Sequence, residues 1–383
     1  MTKAAIQAAP IPTYRSPVWS AVKQEAVLLT AFLCAMLTMF FVPPSPAYLD
    51  YIDFRVLALL FCLMVVVAGV QSCGLFDVLA QRLLSGSKSI RYLCLLLILM
   101  PFFGSMLITN DVALLAFVPF AIVVLDMIGR PQYLIMVITA QTLAANLGSM
   151  ATPIGNPQNL FLYSKFHISI SSFLATMLPY TLLSLVGLAL MVLLFKKESI
   201  EVRFDTLKTI TNPRQVMLMS VLFLLCLLSV LHLIHYGIVL ALVLAAMLLF
   251  ARGLFRKADY SLLATFVFFF ICAGNIGQMD LIRNFLTSMM DKSSLVSSVL
   301  ASQVISNVPA AVLLSGFTEQ WKELLIGVNV GGLGTLIASL ASLISFKLYL
   351  KTPEARPLKY LGVFTVANAA GLLVLMSAAI MME

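Results

Sequence analysis

The stretch Ile108-Thr109-Asn110-Asp111-Val112-Ala113 decides the fold, because a hydroxyl, an amide and a carboxylate stand side by side inside an otherwise apolar run. The second half of the chain echoes it as Ile305-Ser306-Asn307-Val308-Pro309-Ala310. Each copy is followed by another matched block. The first runs from Asn146-Leu147-Gly148 through Thr152-Pro153-Ile154, the second from Asn329-Val330-Gly331 through Thr335-Leu336-Ile337. A shift of 183 residues aligns Asn146 with Asn329, Gly148 with Gly331, Thr152 with Thr335, Asn156 with Ser339 and Asn159 with Ser342. Broken backbone at bilayer depth is tolerated only where protein buries it or it lines a site. Two such interruptions per half, in the same order, point to a duplicated membrane transporter.

The surrounding composition agrees. The chain is 61% hydrophobic and 10% charged, whereas a soluble domain carries roughly a quarter charged residues. Unbroken apolar runs at 56–68, 93–106 and 262–273 differ from the short alternating strands of an outer-membrane barrel. The net charge of +8 comes from short basic clusters between apolar spans, which read as topological determinants and not as a nucleic-acid surface. Cys34, Cys62, Cys73, Cys94, Cys226 and Cys272 are scattered singly with no metal spacing and read as small buried hydrophobes. No Walker A motif supports ATP drive. No HExxH, paired aspartates or serine with a base lies at bilayer depth, so an enzyme is not expected. Residues 1–23, with Pro10, Pro12 and Pro17, read as a cytoplasmic tail and not as a signal peptide.

The expected fold class is an all-α polytopic membrane protein, an inverted-repeat transporter with two re-entrant helical hairpins and two broken transmembrane helices. At about 20 residues per crossing, nine spans are expected at 25–42, 54–73, 133–163, 171–195, 214–234, 236–251, 260–279, 321–349 and 358–382. The segments 91–128 and 294–317 read as hairpins that enter and leave on one side. A cytoplasmic N-terminus then leaves 19 basic residues inside and only Arg55, Lys165, Arg283, Lys292 and Lys322 outside, as the positive-inside rule asks. The division is a tail (1–23), a first helix and outer loop (24–53), a first repeat (54–195), a linker with a helical pair (196–256) and an inverted second repeat (257–383) that ends outside.

The interruptions supply the chemistry. Thr109, Asn110, Ser306 and Asn307 at the hairpin tips, with Asn156, Asn159 and Thr335 in the breaks, are the candidate substrate ligands. Free N–H groups at the start of each returning helix favour an anion, and Pro309 suits such a start. Asp111, Ser149, Thr152, Gly155, Asn146, Asn329, Gly331 and Gly334 are the candidate ion-coupling positions, since carbonyls, hydroxyls and a carboxylate suit a cation such as sodium. Asp111 is the one carboxylate placed deep in an apolar segment, where it reads as cation ligand, proton carrier or helix N-cap. His232 and His235 read as interfacial, and His167 as an outer-loop residue. No cofactor or metal is expected beyond sodium.

Thr-Asn-Asp-Val-Ala-Leu, Thr-Pro-Ile-Gly-Asn-Pro-Gln-Asn, Ser-Gln-Val-Ile-Ser-Asn-Val-Pro and Asn-Val-Gly-Gly together resemble the Ion Transporter superfamily. The likeness is strongest to the YbiR-like inner-membrane anion permeases, near the arsenite permease and sodium/proton antiporter branch. It covers the chain from about Phe54 onward. It implies inverted repeats with a hairpin and a broken helix each, a homodimer working by an elevator movement, and a bacterial inner-membrane location. In the sodium–dicarboxylate branch a Ser-Asn-Thr motif at each tip binds substrate carboxylate. Here the tips read Thr109-Asn110-Asp111 and Ser306-Asn307-Val308, so the third position departs and the dicarboxylate substrate does not carry over. The expectation is a secondary transporter of a small anion, carboxylate or inorganic oxyanion, coupled to sodium or protons. The alternative is a sodium/proton antiporter or an arsenite-type permease that uses Asp111.

Overall fold

A computed structural model describes residues 26–202, 209–353 and 355–382. The tail expected at 1–23 lies outside them, as do the linker residues Arg203 and Lys208. The first half opens with α1 (Ala26–Met39), a single turn α2 (Tyr48–Tyr51) and α3 (Phe54–Ser72). Asp53 starts α3 by accepting from Val56 N at 2.9 Å, which satisfies one of the orphan donors of a helix start. Gly74, at φ 75° in the left-handed region that glycine tolerates best, turns the chain into α4 (Leu75–Leu84). The strand β1 (Gly86–Ser89) leads into α5 (Ile90–Gly104), which Ser89 caps through Tyr92 N. A turn at 105–109 then gives α6 (Asn110–Met127), which packs beside α5. Next come α7 (Leu134–Ser149), α8 (Pro157–Lys165) and α9 (Ile170–Met191).

The second half begins with β2 (Ser199–Val202), followed by α10 (Pro213–Val230) and α11 (Tyr236–Phe250), which pack on α3. After them come α12 (Tyr260–Gly277), α13 (Asp280–Lys292), α14 (Ser294–Ile305), α15 (Asn307–Leu314), α16 (Trp321–Val330), α17 (Leu340–Tyr349) and α18 (Pro357–Met382).

Among the described residues six helices reach 18 residues and are apolar enough to cross a bilayer: α3, α6, α9 extended to Leu194, α10, α12 and α18. Five of these are expected crossings, and α6 is the expected returning arm of the first hairpin. Two expected crossings are each split in two, into α7 and α8 and into α16 and α17. The remaining two, α1 and α11, are 14 and 15 residues long, short of the usual span. The fold is a multi-pass membrane protein embedded in the bilayer. Large apolar side chains stand exposed along α9, α11 and α18, among them Leu182, Leu249 and Leu373, as lipid-facing surface requires.

At the centre sits α7, whose residues are buried without a gap from Val137 to Ser149. Its Gln141 answers a local defect. Pro101 inside α5 has no N–H, so the Leu97 carbonyl four residues back loses its helical donor. Gln141 Nε2 donates to that carbonyl at 2.8 Å. The described start of the expected linker, up to Val202, takes regular structure. β2 pairs antiparallel with β1, Gly86 opposite Val202 and Ser89 opposite Ser199. Arg130 bridges Glu198 at 2.7 Å, and Arg91 donates to the Phe195 and Leu193 carbonyls. Five of the six cysteines are buried and all six are free thiols.

Candidate substrate and ion site

The first helix break is built from proline and glycine. Neither Pro153 nor Pro157 offers an N–H, so the helix that ends at Ser149 cannot continue. It restarts with Asn156 as N-cap, accepting from Asn159 N at 3.0 Å, and Pro157 in the first helical position. Gly148 and Gly155 have no room for a side chain. A Cβ on Gly148 would press on the Phe102 carbonyl, and one on Gly155 on the Ser149 carbonyl. The break therefore lies directly against the turn between α5 and α6. In the second half the helix ends at Val330, passes Gly334 at φ 106° and restarts after Ser339.

Each tip asparagine docks onto the break of its own half. Asn110 N donates to the Gly155 carbonyl at 3.1 Å and Asn307 N to the Ala338 carbonyl at 3.0 Å. Gly155 and Ala338 are 183 positions apart. Both side chains fold back on the next amide, Asn110 Oδ1 taking Asp111 N at 3.0 Å and Asn307 Oδ1 taking Val308 N at 2.9 Å. The first two N–H groups of each returning helix, expected to face an anion, are thus already engaged, because buried backbone donors must find partners. The threonines tie each break to the chain just before its tip: Thr152 Oγ1 donates to the Met106 carbonyl in the turn at 2.6 Å and Thr335 Oγ1 to the Gln303 carbonyl in α14 at 3.1 Å. Met106 and Gln303 each precede their tip asparagine by the same interval.

The two halves are then stitched together. Asn156 Nδ2 donates to Asn329 Oδ1 at 3.2 Å, and Ser339 Oγ donates to Asn146 Oδ1 at 3.0 Å. Under the 183-residue shift each of these bonds is the counterpart of the other. Asn329 Nδ2 also donates to Asn159 Oδ1 at 2.6 Å and Asn110 Nδ2 to Asn146 Oδ1 at 3.0 Å, while Asn156 Nδ2 reaches Ser149 Oγ at 3.1 Å. These are two buried amide clusters, Asn110 with Asn146 and Asn156 with Asn159 and Asn329, which Ser149 joins into one network by donating its Oγ to the Asn146 carbonyl at 2.9 Å. Ser306 and Asn307 are buried beside it through Ala338. Gly331 and Gly334 shape the second break, and Thr335 stands exposed on its shoulder.

Beside the network lies a cavity of about 490 Å³, reached by Thr109, Asp111 and Asn156, with Lys257, Asp259 and Lys347 also in its wall. Thr109, not Asp111, occupies the N-cap position of α6. Asp111 falls in the first helical turn, where the helix dipole favours its charge. Its Oδ1 is buried and has no hydrogen-bond partner. A buried carboxylate oxygen left unpaired beside a cavity suits a cation or a proton, since an uncompensated buried charge is costly. Ser306 is held at φ 74°, ψ 154°, a region that glycine alone adopts without strain.

Two positions with structural roles here, Gln303 and Gln141, were missed at the level of sequence. Gln303 holds the second break, Nε2 donating to the Gly331 and Leu333 carbonyls at 2.8 Å each and Oε1 accepting from Thr335 N at 2.9 Å. Its signal was a long amide four residues before a tip. Gln141 could have been found as a glutamine inside an apolar run downstream of a mid-helix proline. Ser339 was already paired with Asn156 by the shift.

Buried helix breaks and a polar network within an all-helical, multi-pass membrane protein define a membrane transporter. The chain matches the citrate transporter family over residues 18–320, and it belongs to that family, within the superfamily its motifs resemble. It is 34% identical to an uncharacterized transporter of Methanocaldococcus jannaschii over 298 residues, 78% of this chain and 81% of that protein. It is 31% identical to the inner membrane protein YbiR of Escherichia coli over 319 residues, 81% and 84% of the two chains. A shorter likeness, 34% over 166 residues, covers 43% of this chain and 33% of a silicon efflux transporter of Oryza sativa.

Proposed function

We propose that the protein is a secondary active transporter that moves a small anion, a carboxylate or an inorganic oxyanion, together with sodium or protons. The reciprocal pair Asn156–Asn329 and Ser339–Asn146 carries this reading. Two copies of one unit related by a two-fold axis lying in the membrane plane would make such bonds, and that symmetry supplies two equivalent ways to open. In this reading residues 54–195 and 257–383 are inverted repeats, 91–128 and 294–317 are re-entrant hairpins, and 133–163 and 321–349 are broken transmembrane helices. Thr109, Asn110, Ser306, Asn307, Asn156 and Asn159 receive the substrate, with Thr335 bracing the second break. Asp111 with the carbonyls around Ser149, Thr152 and Gly155 holds the coupling ion.

The family's name points to citrate and one relative's to silicon, so both carboxylates and small oxyacids belong in the substrate panel. An inner-membrane location, a cytoplasmic N-terminus and a homodimer complete the proposal. A second reading, sodium/proton antiport or arsenite-type permeation through Asp111, is favoured by the unpartnered Asp111 Oδ1. Purified protein in liposomes separates the two. Anion uptake that depends on an imposed sodium or proton gradient supports the first. Proton efflux that Asp111→Asn abolishes, with no anion of the panel moved, supports the second.

A further inference from the structure

A second cavity, of about 630 Å³, lies at the opposite end of α3 and α12 from the first. α3 gives its carboxyl-terminal half (Ala68, Gln71) to the first cavity and its amino end (the N-cap Asp53 and Arg55) to the second. α12 does the reverse, with Ser261 and Thr265 in the first and Gly274 and Gly277 in the second. The two helices therefore run antiparallel between two mouths.

The charged side chains at the first mouth are Asp111, Lys257, Asp259 and Lys347; those at the second are Asp50, Asp53, Arg55, Lys165 and His167. One pair recurs in both. Asp53 caps α3 through Val56 N, and Asp259 caps α12 through Leu262 N at 2.8 Å. Lys165 closes the last turn of α8, and Lys347 stands in the last turn of α17, each being the second part of a broken helix. Under the 183-residue shift the two lysines fall one position apart. Both are exposed, and among the described residues neither has a carboxylate within 4.0 Å. Lys165 Nζ stands 5.8 Å from the centre of the Phe161 ring, a weak contact that leaves its N–H donors free of a carboxylate, whereas Arg55 is committed, its Nη2 donating to the Ser229 carbonyl at 3.0 Å. His167 lies with its ring 6.1 Å from that of His232.

We propose that Lys165 and Lys347 are matching docking cations for the transported anion, one at each mouth. The proposal rests on the transport reading above and adds where the anion is first met. The ligand is a small carboxylate or oxyanion with net negative charge. The capping aspartates keep each docking site weak. One carboxylate oxygen of each is spent on a helix N–H and the rest opposes the ligand, so the anion is received and released instead of trapped. Attraction by an exposed ammonium is modest and screened by salt. A single aqueous cavity with two random lysines would not place them on corresponding helices.

The test is Lys165→Gln and Lys347→Gln in proteoliposomes of uniform orientation, with radiolabelled citrate and radiolabelled phosphate as probes and uptake followed from each face. Lys165→Gln raises KM roughly three- to five-fold from one face only and Lys347→Gln by a similar factor from the other face only, with kcat unchanged. The effect shrinks at high salt, and Lys→Arg at either position restores the wild-type KM. Unchanged KM on both faces, or an equal rise on both faces in each variant, overturns the docking role while wild-type transport stands. A wild-type protein that moves neither probe nor any other anion of the carboxylate and oxyacid panel overturns the transport reading and this proposal with it. Thermal unfolding of each variant, expected at the wild-type temperature, separates docking from folding.

Discussion

Asp111 shows how a residue can be easy to find and hard to interpret. Its place in an apolar run announced a function. A capping role was equally consistent with the sequence until Thr109 took the N-cap and left Asp111 Oδ1 buried without a partner. Asp111→Asn keeps the volume and is expected to fold as the wild type while losing at least roughly ten-fold in cation-dependent uptake; uptake with and without a sodium or proton gradient checks it. Ser306, at φ 74°, makes a different prediction. Ser306→Gly relieves the strained backbone and stabilises by about 1 kcal/mol or more, whereas Ser306→Ala gains nothing. Melting temperatures of the two variants decide it. Gly148→Ala should be the most damaging small substitution, because the new Cβ meets the Phe102 carbonyl and backbone cannot move aside cheaply. A loss of about 3 kcal/mol or more is expected, read as lower yield of folded protein in detergent.

Among the elements, the helix breaks were the most legible because their causes are local. Pro153 and Pro157 within five residues, and the glycines at 331, 332 and 334, each weaken a helix locally, and together they end it where a lone Pro101 in α5 only costs one hydrogen bond. The short elements escaped for the opposite reason. β1 and β2 are four residues each, too short for periodicity to register, and each exists only because the other arrives from more than a hundred positions away. Gln303 belongs at this scale, since one side chain satisfies three backbone groups of the second break while the matching Met106 offers only its carbonyl. Gln303→Met is expected to cost about 2 kcal/mol. Hydrogen exchange should quicken at 331–335 and stay unchanged at 150–156, and equal acceleration at both breaks would show that Gln303 is not the local clamp.

Across the whole molecule the network of asparagines links two halves that the chain keeps far apart. If the paired bonds act as one seam, Asn156→Ala and Asn329→Ala are non-additive. A double-mutant cycle should give a coupling of roughly 1 kcal/mol or more in thermal stability. Asn156→Ala combined with a distant change such as Ser169→Ala should add within roughly 0.5 kcal/mol.

By itself the sequence determined the class of protein, the number and order of its polar interruptions, their correspondence under a fixed shift and the residue types at each. Those follow from hydropathy, from the missing N–H of proline and from repetition, all of which are properties of the chain read in order. Only the tertiary structure decided which donor meets which acceptor. It showed that the first amides of the returning helices are spoken for by Gly155 and Ala338, that Asn156 crosses to Asn329 while Ser339 crosses to Asn146, and that one oxygen of Asp111 is left over. A buried polar group must be satisfied by whatever the packing brings near it, and what packing brings near is set by helices distant in sequence.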